Sequence, residues 1–142
     1  MKYPSRLHRL LWVLPLAVSM AAAHAQVVVV AGKGVGDMTK DQVSDIFLGK
    51  MTSMPGGGTA IPLDHAESSP LREEFYSKVT GKSAAQARSL WSKLAFTGKG
   101  TPPKEVGSSA DVKKTVAGTP GAIGYIEKTA VDDSVKVVLG VQ

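Results

Sequence analysis

Residues 61–79 read Ile-Pro-Leu-Asp-His-Ala-Glu-Ser-Ser-Pro-Leu-Arg-Glu-Glu-Phe-Tyr-Ser-Lys-Val, and the predicted fold is built outward from this stretch. A short apolar run, a polar turn and then Ser69-Pro70 indicate a strand that passes into a helix, because Ser is a preferred N-cap and Pro a preferred first helical residue. Apolar residues then recur at four-residue spacing and form one stripe on that helix. We therefore predict a strand, a turn and a helix capped by Ser69.

The start of this helix is also a candidate anion site. The first N–H groups of a helix have no partner within it, and the helix dipole places partial positive charge there. Ser68 and Ser69 stand at this position and are candidate ligand-binding residues. The alternative is that the two serines only cap a surface helix.

Residues 1–25 have the layout of a secretory signal peptide. A basic N-terminal region precedes an apolar stretch over residues 10–23, and a small-residue site, Ala-His-Ala, ends at Ala25. The apolar stretch is short for a membrane span, although an uncleaved anchor helix is the alternative. We predict cleavage after Ala25, export to the periplasm and a single domain over residues 26–142.

The charge of the predicted mature chain is close to neutral. Three of the 17 basic residues lie in the predicted signal peptide, which leaves 14 against 12 acidic residues and a net charge of +2. No basic cluster with interleaved aromatic residues remains, so we predict no nucleic-acid partner. The chain has no cysteine, which excludes disulfides and thiol chemistry.

Local signals place further elements along the chain. Two capping boxes, Thr39 with Gln42 and Ser83 with Gln86, each indicate the start of a helix. A run of valines bounded by glycine indicates a buried strand near the N-terminus of the mature chain. The predicted order is β-α-β-α-α-α-β-β, an α/β domain with a central mixed sheet flanked by helices. The predicted strands cover residues 26–31, 59–64, 122–126 and 134–139, and the predicted helices include 40–48, 71–79 and a helix capped by Ser108 or Ser109.

The sequence contains no recognisable pattern of catalytic residues. His65 is the only histidine of residues 26–142, so a metal site with several histidines is excluded. The Gly-x-Ser-x-Gly pattern of a nucleophile elbow does not occur, and neighbouring Glu73 and Glu74 point in different directions on a helix. We predict a non-enzymatic protein without cofactor or metal.

Two segments resemble the periplasmic phosphate-binding proteins of ABC transporters. Residues 39–50 read Thr-Lys-Asp-Gln-Val-Ser-Asp-Ile-Phe-Leu-Gly-Lys, like that family's helix followed by Ile-Phe-Leu-Gly-Lys. Residues 120–126, Pro-Gly-Ala-Ile-Gly-Tyr-Ile, resemble its returning strand, and the serine turn between them occupies the place of its phosphate loop. Family members have two lobes, so the resemblance implies a single lobe of a type 2 periplasmic-binding-protein-like fold over residues 26–142.

The serine turn departs from the family pattern. The family's loop typically reads Arg-Ser-Asp-Gly-Ser-Gly-Thr, and Ser68 aligns with its second serine. Asp64 then stands at the arginine position, and Pro70, which has no N–H to donate, stands at the threonine position. Only the serine is kept, and the acidic residues of the turn add negative charge where an anion would bind.

Two cations are candidate ligand contacts, and the first of them could replace the lost arginine. Arg72 lies one turn into the helix and suits bidentate contact with phosphate, but it could equally pair with a nearby carboxylate. Lys99 lies between two glycines in a loop, where the backbone can come close to a bound group, and the alternative is a solvated side chain. The predicted ligand-binding residues are therefore Ser68, Ser69, Arg72 and Lys99.

The resemblance implies a periplasmic solute-binding-like protein for phosphate or a related oxyanion, associated with ABC-type phosphate uptake or sensing. A transporter or sensor protein would be its partner. The alternative is a protein-interaction module derived from a binding-protein lobe, with no small-molecule ligand. A homodimer, in which two copies rebuild a two-sided cleft, is a further alternative.

Overall fold

The computed structural model describes residues 26–142, so the predicted signal peptide and its cleavage site lie outside the described residues. No helix within this range is both long enough and apolar enough to cross a membrane. The strands are β1 (Val27–Ala31), β2 (Ile61–Asp64), β3 (Lys104–Glu105), β4 (Ala122–Glu127) and β5 (Lys136–Gly140). The helices are α1 (Lys40–Phe47), α2 (Pro70–Phe75), α3 (Ala84–Phe96) and α4 (Ser109–Gly118), with a π-helical turn at Tyr76–Thr80 and a 3₁₀ turn at Lys128–Ala130.

The five strands form one mixed sheet in the order β3-β2-β4-β1-β5. Strand β2 runs parallel to β3 and β4, whereas β1 is antiparallel to β4 and β5. The predicted α/β class and mixed sheet are confirmed. Strand β3 was not predicted, because two exposed residues carry no periodic signal.

The valine run of β1 is buried on both faces of the sheet. Val27 and Val29 pack into a cluster with buried residues of α1 and α2 and with Ala87 of α3. Val28 and Val30 face the opposite side and pack with α4. Alternate side chains of a strand point to opposite faces, so a strand covered on both sides requires an apolar residue at every position.

Four aromatic rings join the helical layer to the sheet. Phe75 stacks on Tyr125 with ring centroids 4.1 Å apart, and Phe47 meets Phe75 edge-on at 4.6 Å. Tyr76 completes the cluster, and all four residues are fully buried. The cluster anchors the α2 region over the central strand β4, which fixes the position of the residues between β2 and α2.

The predicted helix over residues 71–79 is not a single α-helix. Regular α-helix ends at Phe75 and continues as a π-helical turn to Thr80, whose hydroxyl donates to the carbonyl of Tyr76 at 2.6 Å. A π turn accommodates an additional residue, so its side chains follow a different spacing from those of an α-helix. The predicted apolar stripe is nevertheless buried, and Gly81 (φ 71°) ends the helix as expected.

The capping boxes are confirmed, but the predicted cap by Ser69 is wrong in one respect. Thr39 and Ser83 each accept from the backbone N–H three residues later, at 3.1 Å in both cases. Ser69 occupies the N-cap position, yet its side chain makes no capping hydrogen bond. The N–H of Arg72, which a capping hydroxyl would bind, donates instead to the Ser69 carbonyl at 3.1 Å.

Candidate functional site

Asp64 is a buried carboxylate at the end of β2, only 3% exposed. Its Oδ2 accepts a hydrogen bond from the hydroxyl of Tyr76 at 2.7 Å, and its Oδ1 accepts one from the hydroxyl of Tyr125. The backbone N–H of His65 also donates to Oδ1, at 3.0 Å. Buried charges are tolerated when they are paired and hydrogen-bonded, and this carboxylate meets both conditions once Arg72 is included.

The two tyrosines remain hydrogen-bond donors at neutral pH. Burial raises the pKa of the Tyr76 hydroxyl far above its usual range, and the negative charge of Asp64 raises it further. The pKa of Tyr125 is raised for the same two reasons. Both phenols therefore stay protonated and hold the carboxylate in place.

Arg72 pairs with this carboxylate. Its Nη2 lies 3.6 Å from Oδ2 of Asp64, and its Nη1 donates to the carbonyl of His65 at 3.2 Å. The guanidinium also lies 5.9 Å from the ring centroid of Tyr76. Of the two alternatives left open for Arg72, the structure shows the pairing with a carboxylate. A guanidinium has five N–H donors, however, and the Nε of Arg72 has no acceptor among the described residues.

Arg72 lines a surface cleft together with a second arginine, Arg88 of α3. The cleft has two adjoining parts, of about 650 Å³ and about 260 Å³, which share Glu67, Arg72, Arg88 and Ser92 in their walls. We call this the arginine cleft. Its remaining wall comes from other residues of α3, from Asp64 and Glu73, and from Pro102, Pro103 and Glu105. The larger part falls within the range of roughly 300–1,000 Å³ that is usual for small-molecule sites.

Arg88 forms an exposed ion pair across the cleft. Its Nε lies 3.0 Å from Oε1 of Glu67, and its Nη1 donates to Oε2 at 3.1 Å. The two side chains are 65% and 56% exposed, and ion pairs of this kind contribute only about 0–1 kcal/mol. An anion of the solvent can therefore compete with Glu67 for Arg88 at little cost.

Sequence reasoning missed Arg88, although a signal for it was present. Ala85, Arg88, Ser89 and Ser92 follow the spacing of one helical face, and the buried Trp91 borders this face in the smaller part of the cleft. Trp91 is buried and donates from Nε1 to the carbonyl of Phe47 at 2.8 Å, as expected for a core residue. Small and polar side chains on both sides of Arg88 leave space for another molecule to approach this arginine.

The structure brings only one of the four predicted site residues into the arginine cleft. Arg72 lines both parts, whereas Ser68 and Ser69 lie in the preceding turn, outside the lining of the cleft. Lys99 is exposed and also lies outside, with its backbone N–H bound to the carbonyl of Leu94 at 2.8 Å. The role of these three residues in binding an anion stays a prediction.

His65 is buried and its ring is engaged. Its Nε2 lies 2.8 Å from the backbone carbonyl of Tyr125, and its ring packs against that tyrosine. The imidazole is therefore a structural link between β2 and β4. Among residues 26–142, no group of three or more His, Cys, Asp and Glu side chains is arranged to hold a metal ion.

Solved structures of phosphate transport proteins share this fold. An ABC-type phosphate transport receptor from Vibrio cholerae superposes with a TM-score of 0.62 at 22% identity. A phosphate ABC transporter substrate-binding protein from Clostridium perfringens, solved with bound phosphate, superposes with a TM-score of 0.64 at 28% identity. PstS from Borrelia burgdorferi gives a TM-score of 0.59 at 14% identity. No protein-family model matches the chain.

Each comparison covers 80% of this chain but only part of the larger protein. The chain spans about 45% of the length of the solved structures it matches, with values of 45%, 44% and 46%. These neighbours are transport and substrate-binding proteins rather than enzymes. The chain is therefore a structural relative of the phosphate-binding proteins of ABC transporters, with the fold of a single lobe.

Proposed function

We propose that the chain is a periplasmic solute-binding protein for phosphate or a related oxyanion, acting in ABC-type phosphate uptake or sensing. The observation that carries this proposal is that Arg72 and Arg88 line one cleft beside the end of β2. A structural neighbour at 28% identity was solved with bound phosphate, which supports the same ligand class. The periplasmic location rests on the predicted signal peptide.

The two arginines would contribute differently. Arg72 is held by Asp64 and by the carbonyl of His65, so it offers its remaining donors from a fixed position. Arg88 is exposed and would exchange Glu67 for the ligand. Guanidinium groups bind oxyanions through paired N–H···O contacts, and a fixed donor loses little side-chain entropy on binding.

Replacing Arg88 by glutamine tests the proposal without disturbing the buried carboxylate. We expect phosphate affinity, measured by isothermal titration calorimetry, to fall about tenfold because one charge-assisted contact is lost. Lys93→Gln is the matched control, since it removes an exposed cation from the same helix outside the arginine cleft. Arg72 is less suitable, because its removal leaves Asp64 buried without a cation.

Two results would contradict the proposal. One is a folded protein that releases no heat with either phosphate or sulfate. The other is equal phosphate affinity in Arg88→Gln and Lys93→Gln.

A protein-interaction module is the second candidate function, and one observation favours it. Phe96, at the end of α3, is 93% exposed. An exposed aromatic ring offers apolar area that a partner protein would bury. The partner would be a transporter or sensor protein, or a second copy in a homodimer. The calorimetric titration separates the two functions, because this one predicts no effect of the anion.

A further inference from the structure

The arginine cleft carries charges of both signs. Its walls carry two arginines, but they also carry Asp64, Glu67, Glu73 and Glu105. Asp64 is matched by Arg72, and Glu67 is matched by Arg88. The cleft therefore has an excess of negative charge, which opposes a ligand that is only anionic.

Glu105, on the sheet side of the cleft, is a carboxylate that neither arginine pairs with. It is exposed and has no cationic partner among residues 26–142. The parallel register of β2 and β3 places Glu105 beside Asp64, so two carboxylates occupy neighbouring positions on adjacent strands. Arg72 already pairs with Asp64, so Glu105 is the one of these two carboxylates that lacks a cation.

Glu73 is in a different situation. Its Oε2 accepts a hydrogen bond from the backbone N–H of Ala84 at 3.0 Å, at the start of α3. This carboxylate therefore helps to join α2 to α3. Glu105 makes no comparable hydrogen bond among the described residues, which leaves its carboxylate free to contact a ligand.

We propose that the ligand of the arginine cleft is zwitterionic, a phosphate monoester that also bears an ammonium group. This inference rests on the proposed function and specifies its substrate class. The phosphate contacts Arg72 and Arg88, and the ammonium contacts Glu105 in the smaller part of the cleft. Each charge of the ligand then meets the opposite charge, whereas inorganic phosphate meets only the two arginines and is repelled by the carboxylates.

The test compares three ligands by calorimetry at low ionic strength: phosphoethanolamine, ethyl phosphate and inorganic phosphate. Ethyl phosphate has the same phosphate and two-carbon chain as phosphoethanolamine and lacks the ammonium group. We expect phosphoethanolamine to bind about fivefold more tightly than ethyl phosphate, as an exposed ion pair would provide. Glu105→Gln should reduce this preference to less than twofold while the affinity for ethyl phosphate stays the same or rises.

Asp133→Asn is the matched control, because it removes one exposed carboxylate outside the cleft and should keep the fivefold preference. Equal affinity for phosphoethanolamine and ethyl phosphate, with inorganic phosphate still bound, would overturn the zwitterionic ligand and leave the proposed function standing. Retention of the preference in Glu105→Gln would also overturn it. Failure of all three ligands to bind the folded protein would overturn the proposed function and this inference together.

Discussion

A buried carboxylate such as Asp64 is costly to desolvate, and its surroundings show how the chain offsets that cost. Two tyrosine hydroxyls, one backbone N–H and the guanidinium of Arg72 surround it. Removing one partner of such a group leaves an uncompensated charge, so these residues depend on one another. The position of Arg72 in the cleft therefore depends on Asp64 of β2, Tyr125 of β4 and Tyr76 of the π-helical turn.

The raised pKa values of Tyr76 and Tyr125 predict a loss of stability at alkaline pH. The folded-state pKa lies above the unfolded value of 10.0 for both residues, so their contribution is fully present below pH 10. Above pH 10 only the unfolded state releases these protons. We expect the free energy of unfolding, measured in urea, to fall by about 3 kcal/mol between pH 9 and pH 11, because each of the two phenols contributes about 1.4 kcal/mol.

Tyr76→Phe is the comparison for this pH series, because it removes one of the two buried phenols and should reduce the loss between pH 9 and pH 11 by about half. A free energy of unfolding that stays constant up to pH 11 would show that the two phenols ionise as readily in the folded state.

The serines at the starts of α2 and α3 differ in their expected contribution to the free energy of unfolding. Ser83 accepts a capping hydrogen bond, so Ser83→Ala should lower the free energy of unfolding by about 1 kcal/mol. Ser69 makes none, and Ser69→Ala should cost less than about 0.5 kcal/mol. Urea denaturation of the two variants measures the difference, and equal losses would mean that the Ser69 hydroxyl caps α2 in solution.

At the level of secondary structure, the entry into β4 depends on a glycine. Gly121 has φ 85°, and a Cβ at this position would lie 2.1 Å from the carbonyl oxygen of Thr59. Its own carbonyl accepts from the N–H of Ile61 at 2.8 Å, which links β4 to β2. The turn therefore sets how β2 meets the centre of the sheet, and with it the position of Asp64.

Gly121→Ala should be strongly destabilising, by more than about 2 kcal/mol, because both the backbone conformation and the space exclude a side chain. Gly118→Ala, at the end of α4, is the control. A Cβ there meets nothing within 4 Å, so the change should be neutral or slightly stabilising. Thermal unfolding of both variants measures the contrast, and similar melting temperatures would contradict the close approach of Thr59.

For the molecule as a whole, the arginine cleft is formed within one chain and is open to solvent. The exposure of Arg88 and Glu67 shows that water and salt reach the site. Solvent weakens charge-assisted contacts, and salt screens them. We expect the monomer to bind inorganic phosphate no more tightly than about millimolar, which corresponds to roughly −4 kcal/mol.

Calorimetry combined with sedimentation at the same protein concentration measures this affinity and the oligomeric state together. Micromolar binding by a proven monomer would contradict the expectation, and it would mean that loops of this chain close over the anion. Tight binding that appears only with a dimer would instead indicate that a second copy covers the cleft.

Local signals in the sequence determined most of the elements of this fold. The capping boxes at Thr39 and Ser83, the valine run of β1 and the glycine after the π-helical turn involve residues a few positions apart. Neighbours along the chain decide such features, so their spacing predicts them directly. The α/β class followed from their order, whereas Arg72 became a candidate through the resemblance to the phosphate-binding family.

The composition of the cleft was decided by contacts between residues far apart in the chain. Glu67 meets Arg88 across 21 positions, and Asp64 meets the hydroxyl of Tyr125 across 61. Glu105 reaches Asp64 only through the pairing of β2 with β3. These contacts depend on which strands lie side by side and on how α2 and α3 pack over them, and the free energy that selects this arrangement comes from burial of the whole core rather than from any local segment.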